Sequence, residues 1–495
     1  MRIFGPLWRG SKRAVKLFAL LVAAVLLTIF VVRAVDSQRG PPLEPWHTFV
    51  PPELSRSELA TADLAQYLQA EDKAFAAVRT EVTQKLDTAE RVRFNRYFDA
   101  SPIHPGRFAQ DFNRTYVLEP NGAPEGAPEG AAVFLHGLTD SPYSHRHLAK
   151  LYADHGFIAI VLRLPGHGTV PGALTRTDYE DWIAATRLAM REARRRVGPD
   201  KPVHIVGYSN GGALALMHAL DALDDPALVA PSRIVLMSPM VGVTEFARFA
   251  GLAGLPAIFP AFAKAAWLSL IPEFNPFKYN SFPVHAARES FLLTQALQAN
   301  ITRHSRSGRL SGLAPVLTFQ SVLDHTVSTR AVIDELHARL DDNGSELVLF
   351  DINRGGQFEE LLTVNAGTAL SRLLPPAPRR FRTAVIANAS TTTEAMEVRE
   401  TLANATEETR SALSVTYPED VYSLSHVAIP FPLSDGLYGL EPDLADSFGI
   451  RLGDIAARGE FGSLVVNVDM LVRMSSNPFF PYLAERVAAG LPPAR

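Results

Sequence analysis

The sequence predicts an α/β protein in which a mainly parallel sheet is covered by helices on both faces. Three observations carry this expectation. The chain has 495 residues, 47% hydrophobic and 20% charged, enough to bury a large core in one big or two ordinary domains. From residue 131 onward, short apolar runs alternate with helical stretches, the pattern of strands buried on both faces of a parallel sheet. One apolar run, Val203 to Gly207, turns straight into an alanine-rich helical run through Gly207-Tyr208-Ser209-Asn210-Gly211, and a glycine two residues either side of a serine suits a backbone that doubles back on itself.

Taken in order, the first element is a signal for export or membrane insertion. Arg2, Arg9, Lys12, Arg13 and Lys16 precede the uninterrupted apolar run Leu17 to Val32. Its sixteen residues lie between a signal-peptide core and a full span, and Ala14-Val15 extends it if Lys16 snorkels. The poor cleavage site after Ala34 predicts a retained anchor over 1–34, with the rest of the chain on the non-cytoplasmic, periplasmic side. Residues 35–110 read as a Pro-rich linker followed by an amphipathic helix from Ser57 to about Asp87, with Leu59, Leu64, Leu68, Phe75 and Val78 on its apolar side.

A main domain is expected over 111–440. Strands are predicted within 113–120 and 131–137, joined by the duplicated "APEGAPEG", and at Phe157 to Leu162, Val203 to Gly207, Arg233 to Met237 and Pro315 to Phe319. Arg194, Arg195 and Arg196 end a helix, where cations suit the dipole. The apolar, aromatic-rich stretch of about 240–310 shows no strand and predicts a helical lid, with Phe246, Phe249, Leu252, Ile258, Phe259, Phe262 and Trp267 as its apolar lining. An insertion is placed at about 341–420, with strand-like "ELVLFDIN" and "RTAVIAN", an acidic helical run from Thr393 to Thr409, and a last strand in "SVTYP". Residues 441–495 read as a C-terminal extension ending in a packed helix.

Composition excludes some chemistry. There are no cysteines, so disulfides, thiolate catalysis and Cys-ligated zinc are ruled out. A net charge of −4 with no long basic run past the N-terminus gives no reason to expect a nucleic acid partner. No motif calls for a metal or a cofactor.

A serine hydroxyl is a poor nucleophile at neutral pH and needs a general base, a group that orients the base, and donors for the developing oxyanion. Downstream of Ser209 lie His218, His285, His304, His325, His337 and His426. The first sits inside the helix after the serine, His285 and His304 fall in the lid stretch, His337 is helical, and His325 reads as an exposed loop residue. His426 stands in "YSLSHVAIPFP", a proline-bounded loop near the chain end that can swing a ring over the strand ends. Asp324 follows a strand directly, the place for the orienting carboxylate, with Asp351, Glu419 and Asp420 as competitors. The amides of Leu138, after His136-Gly137 at a strand end, and of Asn210 are the expected oxyanion donors. His136 is expected to shape that loop through hydrogen bonds.

The segments "HGLTDSPYSHRHLAKLYADHGF", "LRLPGHGT", "GYSNGG", "LDHTV" and "SLSHVAIPFP", in this order, resemble the α/β-hydrolase superfamily, nearest to its monoacylglycerol lipase and carboxylesterase branch with a serine aminopeptidase S33-like domain. The similarity covers about 110–335 and the His426 loop. It implies an α/β-hydrolase fold, a catalytic triad of Ser209, Asp324 and His426, an oxyanion hole at Leu138 and Asn210, a loop of the family's type at Pro165-Gly166-His167-Gly168, and a helix pairing through Asp181-Trp182. The interval from Asp324 to His426 is longer than the family's. The expected function is a serine hydrolase cleaving small-molecule esters with an apolar acyl or alcohol part through an acyl-enzyme, tied to the membrane by its N-terminal helix. A thioesterase or aminopeptidase with the same triad, and a catalytically dead binding protein on the same fold, are the alternatives.

Overall fold

The computed structural model describes residues 5–120, 128–242, 254–324, 326–355, 369–390, 393–418, 421–453 and 473–494. A ten-stranded sheet runs through the middle in the order β1-β3-β2-β4-β5-β8-β9-β10-β11-β12. Its strands are β1 (Tyr116–Leu118), β2 (Gly130–Leu135), β3 (Phe157–Leu162), β4 (Val203–Tyr208), β5 (Arg233–Met237), β8 (Val316–Ser321), β9 (Glu346–Phe350), β10 (Arg382–Asn388), β11 (Met396–Thr401) and β12 (Glu408–Leu413). From β3 across to β10 the pairings are parallel, and antiparallel strands close both edges.

The central strands are apolar along their whole length because they face two layers. On β2, Ala131, Val133 and Leu135 join one core cluster, while the alternate residues Ala132 and Phe134 join another. The first cluster is completed by α6 (Tyr179–Val197), α7 (Asn210–Asp224) and α8 (Val284–Ser307), and the second by α5 (Arg146–Asp154) and the C-terminal α9 (Phe480–Ala488). Period-two alternation within each strand thus fills both layers at once.

Several elements differ from the sequence expectation. The acidic run Thr393 to Thr409 is not helical but forms the β11-β12 hairpin. Met396 and Val398 are buried while Glu397 and Arg399 alternate with them and stay part-exposed, and Arg382 and Arg410 bind Glu400 and Glu397 across the strands. Period two overrides the helix propensity of the glutamates. The strand expected in "SVTYP" lies earlier, at β12. The stretch 341–420 continues the central sheet through β9 to β12. The helix expected from Ser57 is broken at Ala62, since Asp63 caps a second helix by accepting from the Gln66 N–H at 2.8 Å. These are α3 (Arg56–Thr61) and α4 (Leu64–Glu81).

Within 240–310, where no strand was expected, β6 (Trp267–Ser269) and β7 (Phe282–Pro283) form a short antiparallel pair. Helix α8 buries Leu293, Leu297 and Ile301 in the main core, so it is a layer of the body. Phe246, Phe249 and Leu252 lie outside the described residues. Trp267 is buried with its ring edge-on to His47 at 4.9 Å, while Ile258 and Phe259 are exposed. The N-terminal helix α1 (Gly5–Asp36) holds a long apolar stretch, Ala14–Asp36, whose most apolar window has a mean hydropathy of 2.8 and is not buried in the protein. By length and composition it can cross a membrane or serve as a signal sequence.

Candidate active site

Ser209 sits between the end of β4 and the first turn of α7, with φ 54° and ψ −115°, a left-handed backbone that a non-glycine residue adopts only where its surroundings enforce it. The two flanking glycines answer to the same crowding. A Cβ on Gly207 would stand 2.4 Å from the Gly211 carbonyl oxygen, and one on Gly211 would stand 1.8 Å from that of Leu135. Strand, elbow and helix therefore fit together only without side chains at these positions.

Three loops at the carboxyl ends of the strands converge on this serine. His426 Nε2 lies 3.0 Å from Ser209 Oγ, and His426 Nδ1 lies 2.8 Å from Asp324 Oδ2. Asp324 is fixed from two sides: its Oδ1 accepts from the Thr326 and Val327 N–H groups at 2.9 and 3.1 Å, and its Oδ2 also accepts from Gln320 Nε2 at 3.1 Å. A ring that donates from Nδ1 to Oδ2 leaves Nε2 to accept from the serine hydroxyl. All three side chains are buried.

The long interval before His426 is consumed by β9 to β12, after which the chain returns to the sheet. Tyr208 stacks its ring on His426 with centroids 5.4 Å apart. Ser321 Oγ donates to the Leu424 carbonyl, Asn353 Nδ2 to that of Val421, and Ser425 Oγ to that of Met474. The histidine thus hangs from a loop tied to β8, to the end of β9 and to the short parallel pair β13 (Ser423–Leu424) with β14 (Arg473–Met474).

The remaining histidines are occupied elsewhere. His218 Nε2 faces the Val229 carbonyl, His337 Nε2 the Thr318 hydroxyl, and His304 Nδ1 the Asn300 carbonyl. His285 lies beside Asp178. Of the competing acids, Asp351 bonds Arg354. His325, Glu419 and Asp420 lie outside the described residues. Asp178, His285 and Glu289 bring ligand atoms within 4.8 Å of one another, but Arg56 and Arg288 bind the two carboxylates, which makes this an ion-pair cluster.

The loop after β2 passes directly over the serine: a Cβ on Gly137 would stand 3.2 Å from Ser209 Cβ. Leu138 follows that glycine and Asn210 follows the serine, opening α7 where the first N–H groups have no carbonyl within the helix to bind. His136 accepts the Leu164 N–H at Nε2 and faces the Gly137 carbonyl with Nδ1. Burial, reinforced by the nearby His167, holds its pKa well below the usual histidine value, so it is a neutral clamp between the loops after β2 and β3. His167 turns its Nδ1 to the Pro165 carbonyl, which also receives the Trp182 indole N–H at 3.1 Å.

Sequence reasoning missed Gln320, Tyr208 as a stacking partner, and the side chain of Asn210. That side chain is fully buried, and neither its nitrogen nor its oxygen has a partner among the described residues. It was legible only as the variable position of the Gly-x-Ser-x-Gly pattern.

Residues 132–351 match the alpha/beta hydrolase family. The largely parallel sheet and the strand–serine–helix elbow of this part are those of an α/β-hydrolase fold. Over 84 residues the chain is 35% identical to a thermostable monoacylglycerol lipase of Bacillus sp. strain H-257, a stretch that covers 17% of this chain and 32% of the relative. The match thus spans about a third of that relative's length. Similar solved structures include a metagenome-derived lipolytic enzyme, 21% identical, covering 49% of this chain and 88% of the other with a TM-score of 0.37. Another is the monoacylglycerol lipase of Paleococcus ferrophilus, 18% identical, with 48% and 87% covered and a TM-score of 0.35.

Proposed function

We propose that this protein is a serine hydrolase that cleaves small carboxylic esters with an apolar acyl or alcohol part. The observation that carries the proposal is the unbroken series Ser209 Oγ, His426 Nε2, His426 Nδ1, Asp324 Oδ2, with links of 3.0 and 2.8 Å, on a serine held at positive φ. Ser209 attacks the ester carbonyl as His426 takes its proton, and the amides of Leu138 and Asn210 receive the negative charge on the oxygen. His426 returns the proton to the leaving alcohol, and an acyl-enzyme remains. Water then attacks with its proton going to His426, which hands it to Ser209 Oγ as the acid leaves and the free enzyme is restored. Asp324 keeps the ring oriented and stabilises its cationic form throughout. The step needs no metal or cofactor.

Fold and triad do not choose the leaving group, so the reading is tested with p-nitrophenyl esters, acyl-CoA thioesters and aminoacyl anilides side by side. Turnover of the esters with the others at least tenfold slower is expected, while preference for the anilides would replace the reading with a peptidase. Among esters, kcat/KM should rise from acetate to octanoate by up to about fourfold per methylene, from roughly 0.8 kcal/mol per buried methylene. A profile falling from acetate upward would remove the apolar acyl site.

The same proposal includes α1 as an uncleaved anchor with the catalytic domain on the non-cytoplasmic, periplasmic side. It is supported by the cations before the apolar stretch and by the contacts of the helix end with the domain. An N-terminus at Val35 in protein isolated from membranes would contradict it.

A further inference from the structure

The last turns of α1 do not stand clear of the domain. Ile29, Phe30, Arg33, Ala34 and Ser37 form one partly or fully buried stripe, while residues 14–28 are exposed or nearly so on every side. Their spacing of three and four residues is that of one helix face. The stripe meets the segment 256–267. The Phe30 ring packs edge-on against Phe259 and Phe262 with centroids at 6.2 and 6.4 Å. Arg33 donates to the Trp267 carbonyl at 2.8 Å, Gln38 to that of Ala261 at 2.9 Å, and Lys264 to those of Arg39 and Gly40.

These contacts set a depth. The run Leu17 to Val32 has sixteen residues, about 24 Å of helix at 1.5 Å per residue, and a bilayer's hydrocarbon layer is about 30 Å thick. An anchor this short has no turn to spare, so Phe30 lies inside the apolar layer, and whatever packs against Phe30 lies at its boundary. Beside those contacts the segment leaves Ile258 75% exposed, Phe259 54%, Leu268 41% and Ile271 40%. Such a group of large apolar side chains is costly in water and suits lipid. Arg33, Lys264 and Arg39 fall where the phosphates of the headgroups begin.

We propose that residues 256–271 form an interfacial membrane-binding element, seated in the same bilayer that α1 spans. The catalytic domain is then fixed against the membrane surface by two joined pieces, rather than suspended from a flexible tether. Trp267 extends the attachment into the body through its contact with His47, whose Nε2 faces Ser281. The inference rests on the anchor reading above.

The absence of cysteine makes the test direct. Single variants Leu20→Cys, Ile258→Cys and Leu402→Cys of the full chain, all at exposed positions, are labelled with a nitroxide and reconstituted into phosphatidylcholine–phosphatidylglycerol vesicles. Relaxation by oxygen, which concentrates in lipid, is compared with relaxation by a water-soluble nickel chelate. The labels at 20 and 258 are expected to favour oxygen, and the label at 402, in the hairpin turn at the far end of β11, to favour nickel. A label at 258 that behaves like that at 402 while the label at 20 favours oxygen overturns the interfacial element and leaves the anchor standing. A label at 20 that favours nickel overturns the anchor, and the present proposal with it.

Discussion

Replacing His426 with alanine is expected to lower kcat on a p-nitrophenyl ester by about 10⁵-fold or more, with KM changed severalfold at most. Among the described residues the ring is the group placed to take the proton of Ser209 Oγ, at 3.0 Å. On the proposed mechanism its loss leaves only binding and the oxyanion donors. Asp324→Asn is expected to cost about 10⁴-fold, because an amide in place of the carboxylate no longer holds the proton on Nδ1. The two losses should not add, since both groups serve one transfer. Steady-state kinetics of the single and double variants checks this, with circular dichroism to confirm that each is folded. A His426→Ala enzyme within tenfold of wild type would require another base.

The second large effect is on stability. Arg163 is buried and donates to Glu71 Oε2 at 2.9 Å and to both carboxylate oxygens of Glu53 at 2.8 Å. Glu71 lies on α4, Glu53 precedes α3, and Arg163 directly follows β3, so this arginine joins the N-terminal helical segment to the sheet. Burial pushes the Glu71 pKa up, opposed chiefly by the Arg163 charge. Arg163→Met removes that opposition and leaves a buried carboxylate without its ion-pair partner, held among the described residues only by the Thr115 N–H and hydroxyl. Denaturant titration at pH 7 should show a loss of about 3–5 kcal/mol.

The sign of its pH dependence follows. Without Arg163 the folded-state pKa of Glu71 rises further above its unfolded value, so the folded variant binds a proton that the unfolded chain has released. Stability of the variant relative to wild type should therefore recover as pH falls from 7 toward the unfolded carboxylate value of about 4.3. Adding Glu71→Gln should recover part of the deficit at pH 7. A deficit constant with pH and unrelieved by the second substitution would assign the loss to packing alone.

How much of this was legible in the sequence depended on how local each determinant is. The strands at 131–137 and 203–207 were readable because continuous apolar runs follow from burial on both faces. The elbow was readable because steric crowding leaves glycine as the solution at 207 and 211. His426 was found by its proline-bounded loop, 102 positions from Asp324, although nothing local told how the chain would return. The structure brings Ser209, Asp324 and His426 together, and it sets Leu138 and Asn210 next to the serine.

What stayed hidden was decided by distant partners. Residues 393–409 have the composition of a surface helix, and only pairing with β10 made their period-two pattern decisive. Gln320 is one polar residue in an apolar strand until Asp324 turns back toward it. The aromatic segment after β5 reads as a cover for a pocket, and its described part meets the end of α1, an encounter between residues 30 and 259 that no periodicity encodes.

Whether Ser209 is a nucleophile activated by His426 is read out by a fluorophosphonate probe followed by peptide mass mapping of the full chain. One adduct on the peptide containing Ser209 is expected in the wild type, with none in Ser209→Ala and a labelling rate at least a hundredfold lower in His426→Ala. No adduct on the folded wild-type protein, or an adduct that persists in Ser209→Ala on another serine, would exclude Ser209 as the activated nucleophile.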